Sequence, residues 1–190
     1  GTFEVQSKLS NGVQAMVQKL STLFPLYLLT GDKQDGLADI AAITSSFTEV
    51  KAGLLPNDKK LFVAQLEQQN LPTMMVGDGI NDAAAMQAAT VGVAITSEKN
   101  SFTPASDVIM NNAELALLPQ LHSFSLACRK NIINSFWLSV VYNIIGLSVA
   151  ISGTLSPVFA AIFMPVSSMS VVAFSTWATS LSAKKRGLYK

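Results

Sequence analysis

The most informative part of the sequence is Gly77-Asp78-Gly79-Ile80-Asn81-Asp82, because it joins an apolar run to an alanine-rich segment through two glycines and two carboxylates. The run before it, residues 73–76, is predicted to be a buried strand, and residues 82–89 are predicted to be a short helix. Glycine at such a junction lets the backbone turn tightly and approach an anion. Two carboxylates four residues apart at a strand exit suit a hard cation such as Mg²⁺. On this chemistry alone, an Asp/Asn turn with a helix cap remains an alternative.

Two more motifs lie at comparable junctions upstream. Leu29-Thr30-Gly31-Asp32 ends a predicted strand over residues 26–29, and its hydroxyl and backbone N–H groups suit a phosphate. Leu55-Pro56-Asn57-Asp58-Lys59 opens a helix predicted to reach residue 70, with proline at a favoured early position. A lysine there neutralises charge if a phosphate is bound. Taken singly, a plain turn and a solvated lysine are the simpler interpretations.

Strands and helices alternate through the first 120 residues, which predicts an α/β fold with a parallel sheet and right-handed crossovers. Ligands of such sheets bind at the carboxyl ends of the strands, where Thr30 and Asp78 both fall. The further predicted strands are residues 91–95 and 107–110, and a further helix is predicted over residues 34–45.

The second part of the chain has no charged side chain over residues 131–183. A span of about 50 such residues is too long for one membrane helix and fits two joined by a turn. The break falls at residues 152–157, which contain glycine and proline, so helices are predicted over about 132–152 and 157–180. A preceding helix over residues 114–130 is predicted to continue into the first of them as a stalk.

The flanks of this hairpin are basic, with Arg129 and Lys130 before it and Lys184-Lys185-Arg186 after it. Basic residues at both outer ends predict that both lie on the cytoplasmic side of a membrane. A pair of buried helices in a soluble core is the alternative, although soluble core helices seldom run so long without a charge.

Composition narrows the function classes. Charged residues make up 13% of the chain, about half the fraction usual in soluble proteins. The formal net charge of +1 gives no case for a nucleic-acid partner. Cys128 and His122 are the single cysteine and the single histidine, which excludes an internal disulfide and argues against a zinc site built on either residue type.

In this order, the three motifs resemble the haloacid dehalogenase superfamily and, within it, the P-type ATPases. The resemblance implies a Rossmann-like partial phosphorylation domain over residues 1–121. A stalk and a two-helix transmembrane hairpin with a basic tail would then occupy residues 122–190. The chain would be the C-terminal part of a heavy-metal pump, ending in its last two membrane helices.

The resemblance also assigns roles in phosphoryl transfer. Thr30 would contact the aspartyl phosphate with Gly31 beside it, Lys59 would hold the negative charge, and Asn81 would lie near the phosphate. Asp32 would lie near the nucleotide and the hinge. The magnesium ligands would be Asp78 and, in or beside that shell, Asp82. One departure is Lys33, where the family usually has asparagine; we expect it to tune the site because it is peripheral to the phosphate.

The hairpin carries the residues that bear on the transported ion. Tyr142-Asn143 lies near the middle of the first predicted membrane helix, and Met164 and Ser168 lie near the middle of the second. Polar side chains at this depth are costly and tend to be functional, and a thioether suits Cu(I). Methionine as apolar filler and serine as helix contact remain the simpler interpretations. Copper pumps of the heavy-metal class carry both patterns in these two helices, so the resemblance implies a Cu(I) site. Pro165 inside the motif is a variation and is expected to kink the helix.

For the whole protein, the resemblance implies ATP-driven Cu(I) export from a multi-pass plasma (inner) membrane protein. Mg²⁺ and ATP would be its cofactors, and the phosphorylation domain and C-terminus would be cytoplasmic. The nucleophile motif Asp-Lys-Thr-Gly-Thr does not occur in this sequence, so these residues alone are not expected to hydrolyse ATP. Partners would be the nucleotide-binding and actuator domains, the remaining membrane helices, lipid and a copper chaperone. A soluble phosphatase remnant and a pump for another heavy metal are the alternatives.

Overall fold

The structure is a computed structural model that describes residues 12–32, 40–78, 80–96, 106–154 and 156–188. The chain divides into two compact units, Gly1–Pro119 and Gln120–Lys190. The first unit contains short strands alternating with helices, and the second contains two long helices.

The first unit follows the predicted α/β order. Its helices are α1 (Val13–Ser21), α2 (Ala41–Thr44), α3 (Pro56–Gln68) and α4 (Ala83–Ala88). Its strands are β1 (Tyr27–Leu29), β2 (Glu49–Lys51), β3 (Met74–Gly77), β4 (Val91–Thr96) and β5 (Val108–Asn111). The predicted strands are present to within one residue at each end, and α3 begins at the predicted proline.

All strand pairings in the described residues are parallel, which confirms the predicted fold class. β1 pairs with β2, and β3, β4 and β5 form a second ladder in that order. The middle strand β4 is the most deeply buried, with Val93 and Ala94 each 1% exposed. Both edges of β4 are paired and its side chains are covered, so it reads as a continuous apolar run rather than an alternating one.

Two elements were not predicted from the sequence. β2 has three residues, two of them charged, so it has no apolar run to mark it. It forms because its backbone pairs with β1, and Lys51 lies with its ammonium 4.6 Å from the centre of the Phe62 ring. α1 was not predicted either. Of the helix predicted over residues 34–45, only α2 falls in the described residues, since residues 33–39 lie outside them.

The core of the first unit contains small and medium apolar side chains from every layer. Met86 and Val93 are the largest fully buried residues, and full burial of such a side chain contributes about 1.5–3 kcal/mol. Val17 of α1, Ile43 of α2 and Val63 of α3 are each at most 5% exposed. The apolar face of each helix is therefore the face that covers the sheets.

Glu67, near the end of α3, connects that helix to the starts of two strands. Its Oε1 accepts hydrogen bonds from the backbone N–H of Thr73, at 2.7 Å, and of Thr90, at 2.8 Å, and both threonine hydroxyls also donate to it. The Thr73 side chain and backbone, followed by those of Thr90, outweigh desolvation and lower the pKa of Glu67 from 4.5 to about 2. These hydrogen bonds, the Glu67 clasp, tie the amino ends of β3 and β4 to the end of α3.

The second unit contains all but the first two residues of α5 (Leu118–Ile151) and the whole of α6 (Pro157–Lys185). A 3-10 helix, Asn112–Leu117, precedes α5. α5 is continuous from the predicted stalk into the charge-free segment, so the first predicted helix begins 14 residues earlier than residue 132. Its 34 residues span about 51 Å at 1.5 Å per residue, well beyond the roughly 30 Å of a bilayer core.

Both long helices are apolar enough to cross a membrane by length and composition, and their most apolar windows are not buried within the structure. Trp137 and Trp177 are 66% and 65% exposed. Core helices of a soluble protein bury most of their apolar surface, so the exposed surface supports the predicted membrane hairpin over the soluble alternative.

Polar contacts join the two helices at their basic ends. Asn131 Nδ2 donates to Ser182 Oγ at 3.3 Å, and Arg186 Nε donates to Ser123 Oγ at 3.2 Å. These bonds lie just outside the most apolar part of the hairpin. They place both basic flanks at one end of it, as the sequence predicted.

Candidate functional site

The Thr30 turn is held by the chain that follows β2. Thr30 N–H donates to Lys51 O at 2.9 Å, and Leu54 N–H donates to Thr30 O at 3.0 Å, so backbone pairing continues beyond β1. Gly53 N–H donates to Asp32 O at 2.8 Å, and Gly53 has a φ of 69°, which favours glycine. The motif at residues 29–32 and the motif at residues 55–59 are therefore adjacent, although more than 20 residues separate them.

Within the turn, the Thr30 hydroxyl has two partners. It accepts from Asp32 N–H at 3.1 Å and donates to Asp32 Oδ2 at 3.2 Å. Asp32 is exposed and Thr30 is half-buried. The predicted phosphate-contacting hydroxyl is thus already oriented by the neighbouring carboxylate.

The start of α3 explains the second motif in local terms. Pro56 occupies the first helical position, where its missing N–H costs nothing. Asp58 Oδ2 accepts from Leu55 N–H at 3.0 Å, which satisfies a donor that the helix leaves free. Lys59 follows directly, and these constraints determine where its side chain leaves the helix.

Lys59 joins the motif at residues 55–59 to the motif at residues 77–82. Its Nζ lies 2.8 Å from Asp82 Oδ1, and the two side chains are only 14% and 12% exposed. A pair this poorly hydrated is held more firmly than a surface ion pair. The sequence predicted both residues as site members but did not predict that they contact each other.

Gly77, the last residue of β3, makes room for this pair. A Cβ at position 77 would lie 2.7 Å from Asp82 Cβ and 2.9 Å from Asp82 Cγ, closer than van der Waals contact allows. The glycine is therefore needed so that Asp82 can fold back over the strand end. The sequence analysis quoted Gly77 within the motif without this role; its position between the strand and a carboxylate five residues on is the signal.

Asp78 lies at the exit of β3 and accepts several hydrogen bonds. Its Oδ1 accepts from the N–H groups of Ile80 and Asn81, both at 3.1 Å, and its Oδ2 accepts from Asn81 Nδ2 at 3.0 Å. Partial burial acts to raise the pKa of Asp78, but the hydrogen bonds from Asn81, Ile80 and Asp82 outweigh it and hold that pKa below its ordinary value. The carboxylate is accordingly ionised at neutral pH.

The residues present fit a magnesium ion of the kind that also binds phosphate. Asp78 is exposed and anionic, while Asp82 forms an ion pair with Lys59. In the described part of the chain no cluster of three His, Cys, Asp or Glu side chains surrounds a metal position. Mg²⁺ commonly binds to one or two carboxylates and completes its shell with waters and substrate phosphates, so this donor set suits it.

The second unit has a cavity of about 350 Å³ between α5 and α6. It is lined by polar side chains and one valine, namely Ser139, Tyr142, Asn143, Ser167, Ser168 and Val171. Tyr142 lies eleven residues beyond Asn131, about 16 Å further along the helix, which is close to half the thickness of a bilayer core.

Three of the four residues predicted for the transported ion line this cavity, and one does not. Tyr142, Asn143 and Ser168 line it, whereas Met164 is 69% exposed on α6 and is not among the lining residues. Ser139 was missed by the sequence analysis, although its spacing of three and four from Tyr142 and Asn143 places it on the same helix face.

Several known proteins are similar to this chain or to part of it. Residues 1–90 match the family model of a haloacid dehalogenase-like hydrolase. A copper-exporting P-type ATPase of Staphylococcus haemolyticus is 33% identical over 174 residues, which is 90% of this chain and 22% of that protein. A probable copper-transporting ATPase of Synechocystis is 36% identical over 85% of this chain and 22% of its own length.

Among solved structures, a zinc-transporting PIB-type ATPase in its E2.Pi state matches 92% of this chain and 28% of its own, with a TM-score of 0.75 and 29% identity. The match therefore includes the α/β unit and most of the hairpin. The chain spans about a fifth of the length of the curated relatives it matches.

Proposed function

We propose that this chain, which is related in sequence and in fold to the heavy-metal P-type ATPases, works as part of a pump that uses ATP to export Cu(I) through an aspartyl-phosphate intermediate. The observation that carries the proposal is the presence in one chain of two sites. One is the Lys59–Asp82 pair beside Asp78 at the carboxyl end of β3, and the other is a polar cavity between two apolar helices.

In the phosphoryl-transfer site, each residue meets the charge of the transferred group in a different way. Lys59 supplies a positive charge that Asp82 keeps in place. Thr30 offers a hydroxyl at the exit of β1, and Asn81 offers an amide that already bonds Asp78. Asp78 and Asp82 would hold Mg²⁺, which when bound neutralises charge on the phosphate oxygens.

The carboxylate that accepts the phosphoryl group belongs to a motif that this sequence does not contain. We therefore propose that residues elsewhere in the whole protein supply the nucleophile, the nucleotide-binding and actuator domains, and the remaining membrane helices. These residues alone would then be inactive, because they contribute the electrostatic part of the site and not its nucleophile.

We assign Cu(I) as the cargo from the chemistry of the hairpin. Residues 131–183 contain no carboxylate, which removes the hard oxygen ligands that divalent ions favour. The cavity offers hydroxyl and amide groups, and Met164 on α6 supplies a soft thioether one turn from Ser168. Its exposure is compatible with a ligand that faces a further membrane helix of the whole protein.

Two alternatives follow from particular observations. A zinc pump is favoured by the structural likeness to a zinc-transporting PIB-type ATPase. A soluble phosphatase remnant would account for the hydrolase-like unit alone, but not for the exposed apolar surface of α5 and α6.

The test is metal-stimulated ATPase activity of the full-length pump with Cu(I), Zn²⁺ and Co²⁺ compared in parallel. We expect Cu(I) to give the largest stimulation. If only Zn²⁺ stimulated the ATPase activity, the cargo would be zinc and not copper. If no metal stimulated it, the pump assignment would be wrong.

We further propose that the protein is a multi-pass plasma (inner) membrane protein with the α/β unit and the C-terminus in the cytoplasm. The basic flanks that Asn131 and Arg186 hold at one end of the hairpin support this topology. A reporter that is active only in the cytoplasm should be active when fused after Lys190. Activity of a reporter that works only in the periplasm would show that the orientation is the opposite one.

A further inference from the structure

Tyr142 is anchored across the hairpin by a residue that does not line the cavity. Its Oη lies 3.1 Å from Ser170 Oγ on α6. Ser170 Oγ in turn lies 2.7 Å from the backbone oxygen of Val166, one turn earlier in α6. A phenol, a serine hydroxyl and a carbonyl thus form a short relay behind the cavity wall.

The direction of this relay follows from its last member. A carbonyl oxygen only accepts hydrogen bonds, so the single proton of Ser170 is donated to Val166 O. Ser170 then offers only lone pairs to its other neighbour, and Tyr142 must be the donor in the bond between them. The phenolic proton is therefore directed to α6, and the remaining lone pair of Tyr142 is left for other partners.

The ring of Tyr142 is fixed as well as its hydroxyl. It meets Phe163 edge to face with ring centres 5.7 Å apart, and Phe163 stacks on Phe159 at 5.2 Å. Gly146, one turn from Tyr142, faces the same ring: a Cβ there would lie 3.4 Å from the Phe163 ring, at ordinary van der Waals distance. Rotation of the tyrosine out of the relay would disrupt this packing.

We propose that Ser170 is a positioning residue for the transported metal ion: its Oγ accepts the hydrogen bond of the Tyr142 hydroxyl, so that the phenol oxygen is presented to the cavity as an acceptor. An oxygen lone pair attracts a cation, whereas a hydroxyl proton in the same place repels it. This inference rests on the proposed function in that the cavity lies on the route of the ion.

The test uses the full-length pump with single substitutions and one double substitution. Ser170→Ala removes the acceptor, and we expect the Cu(I) concentration for half-maximal ATPase activity to rise about threefold to tenfold. The maximal rate should change by less than about twofold, because the phosphoryl-transfer site is unaltered. Ser170→Thr keeps the hydroxyl and should restore the wild-type value. Ser148→Ala is the matched control, because Ser148 makes the same bond to a carbonyl of its own helix, Ile144 O at 2.7 Å.

The Tyr142→Phe background distinguishes a role of Ser170 through the phenol from a purely structural role of Ser170. If Ser170 acts through the phenol, Ser170→Ala should add nothing to Tyr142→Phe, in Cu(I) affinity by chelator competition as well as in activity. Three results would overturn the inference while leaving the pump in place. They are additive effects of Ser170→Ala and Tyr142→Phe, a Ser170→Ala variant with wild-type Cu(I) dependence, and a Ser170→Thr variant as impaired as Ser170→Ala. A wild-type pump that responds to no metal would overturn the proposed function, and this inference with it.

Discussion

Lys59 and Asp82 form an ion pair of 2.8 Å across 23 residues of sequence, with both side chains largely shielded from water. The pair links the start of α3 to the residue before α4, and through Asp82 it touches the end of β3. One contact therefore organises two of the three motifs that the sequence indicated. It also gives the site a stability that can be measured apart from catalysis.

Lys59→Met should lower both stability and phosphorylation. It leaves Asp82 shielded and unpaired, which we expect to cost about 1–3 kcal/mol of unfolding free energy. It also removes the positive charge that we propose meets the phosphate. Adding Asp82→Asn should recover most of the stability but none of the phosphorylation. Thermal unfolding and acid-stable phosphoenzyme of the full-length pump give the two readouts. Equal recovery of both would mean that the pair is purely structural.

Gly77→Ala should displace Asp82, because the new methyl would lie within 2.7 Å of Asp82 Cβ. We expect a loss of about 1–3 kcal/mol in stability together with reduced phosphoenzyme. Gly53→Asn is the comparison, since open space surrounds Gly53 and asparagine tolerates its positive φ. If Gly77→Ala is as stable and as active as wild type, Asp82 does not need this approach.

Asp78→Asn should lower phosphoenzyme formation at least about a hundredfold while the protein stays folded. The amide keeps the shape of the carboxylate but loses the charge that the bonds from Asn81 and Ile80 stabilise. Glu49→Gln, at an exposed carboxylate paired with Lys51, is the control and should leave phosphorylation unchanged. Phosphoenzyme at the wild-type level in Asp78→Asn would exclude Asp78 from the site.

Glu67→Gln should reduce stability in a pH-dependent way. The pKa of Glu67 is lowered from 4.5 to about 2, so its contribution is complete above about pH 4.5 and is lost as the pH falls toward 2. Unfolding midpoints of the two proteins should therefore differ at pH 7 and converge in acid. A difference that is constant from pH 7 to pH 3 would show that the charge of the clasp is irrelevant.

Met164→Ala should raise the Cu(I) concentration for half-maximal ATPase activity by about tenfold, because it removes the thioether of the proposed ion route. Met169→Ala is a closely matched control: it lies on the same helix, and the two methionines are 70% and 69% exposed. Metal titrations of both variants decide the point. The same response in both would show that position 164 has no special role.

The agreement between sequence and structure is greatest where the signal is local. β3 and β4 were predicted because they are short apolar runs that end at glycine or polar residues, and α3 because it starts at Pro56. β2 was not, because three residues with charged ends have no pattern of their own and become a strand only by pairing with β1.

Neighbouring residues alone were enough to predict the order of strands and helices, the three motifs at their junctions, and the charge-free segment over residues 131–183. These are properties of neighbouring residues, such as periodicity, turn chemistry and the cost of placing a charge in lipid. Three features became visible only in the folded chain: Lys59 contacts Asp82, Tyr142 donates to Ser170, and Met164 does not line the cavity. Those outcomes depend on how distant segments pack, and no local pattern carries that information.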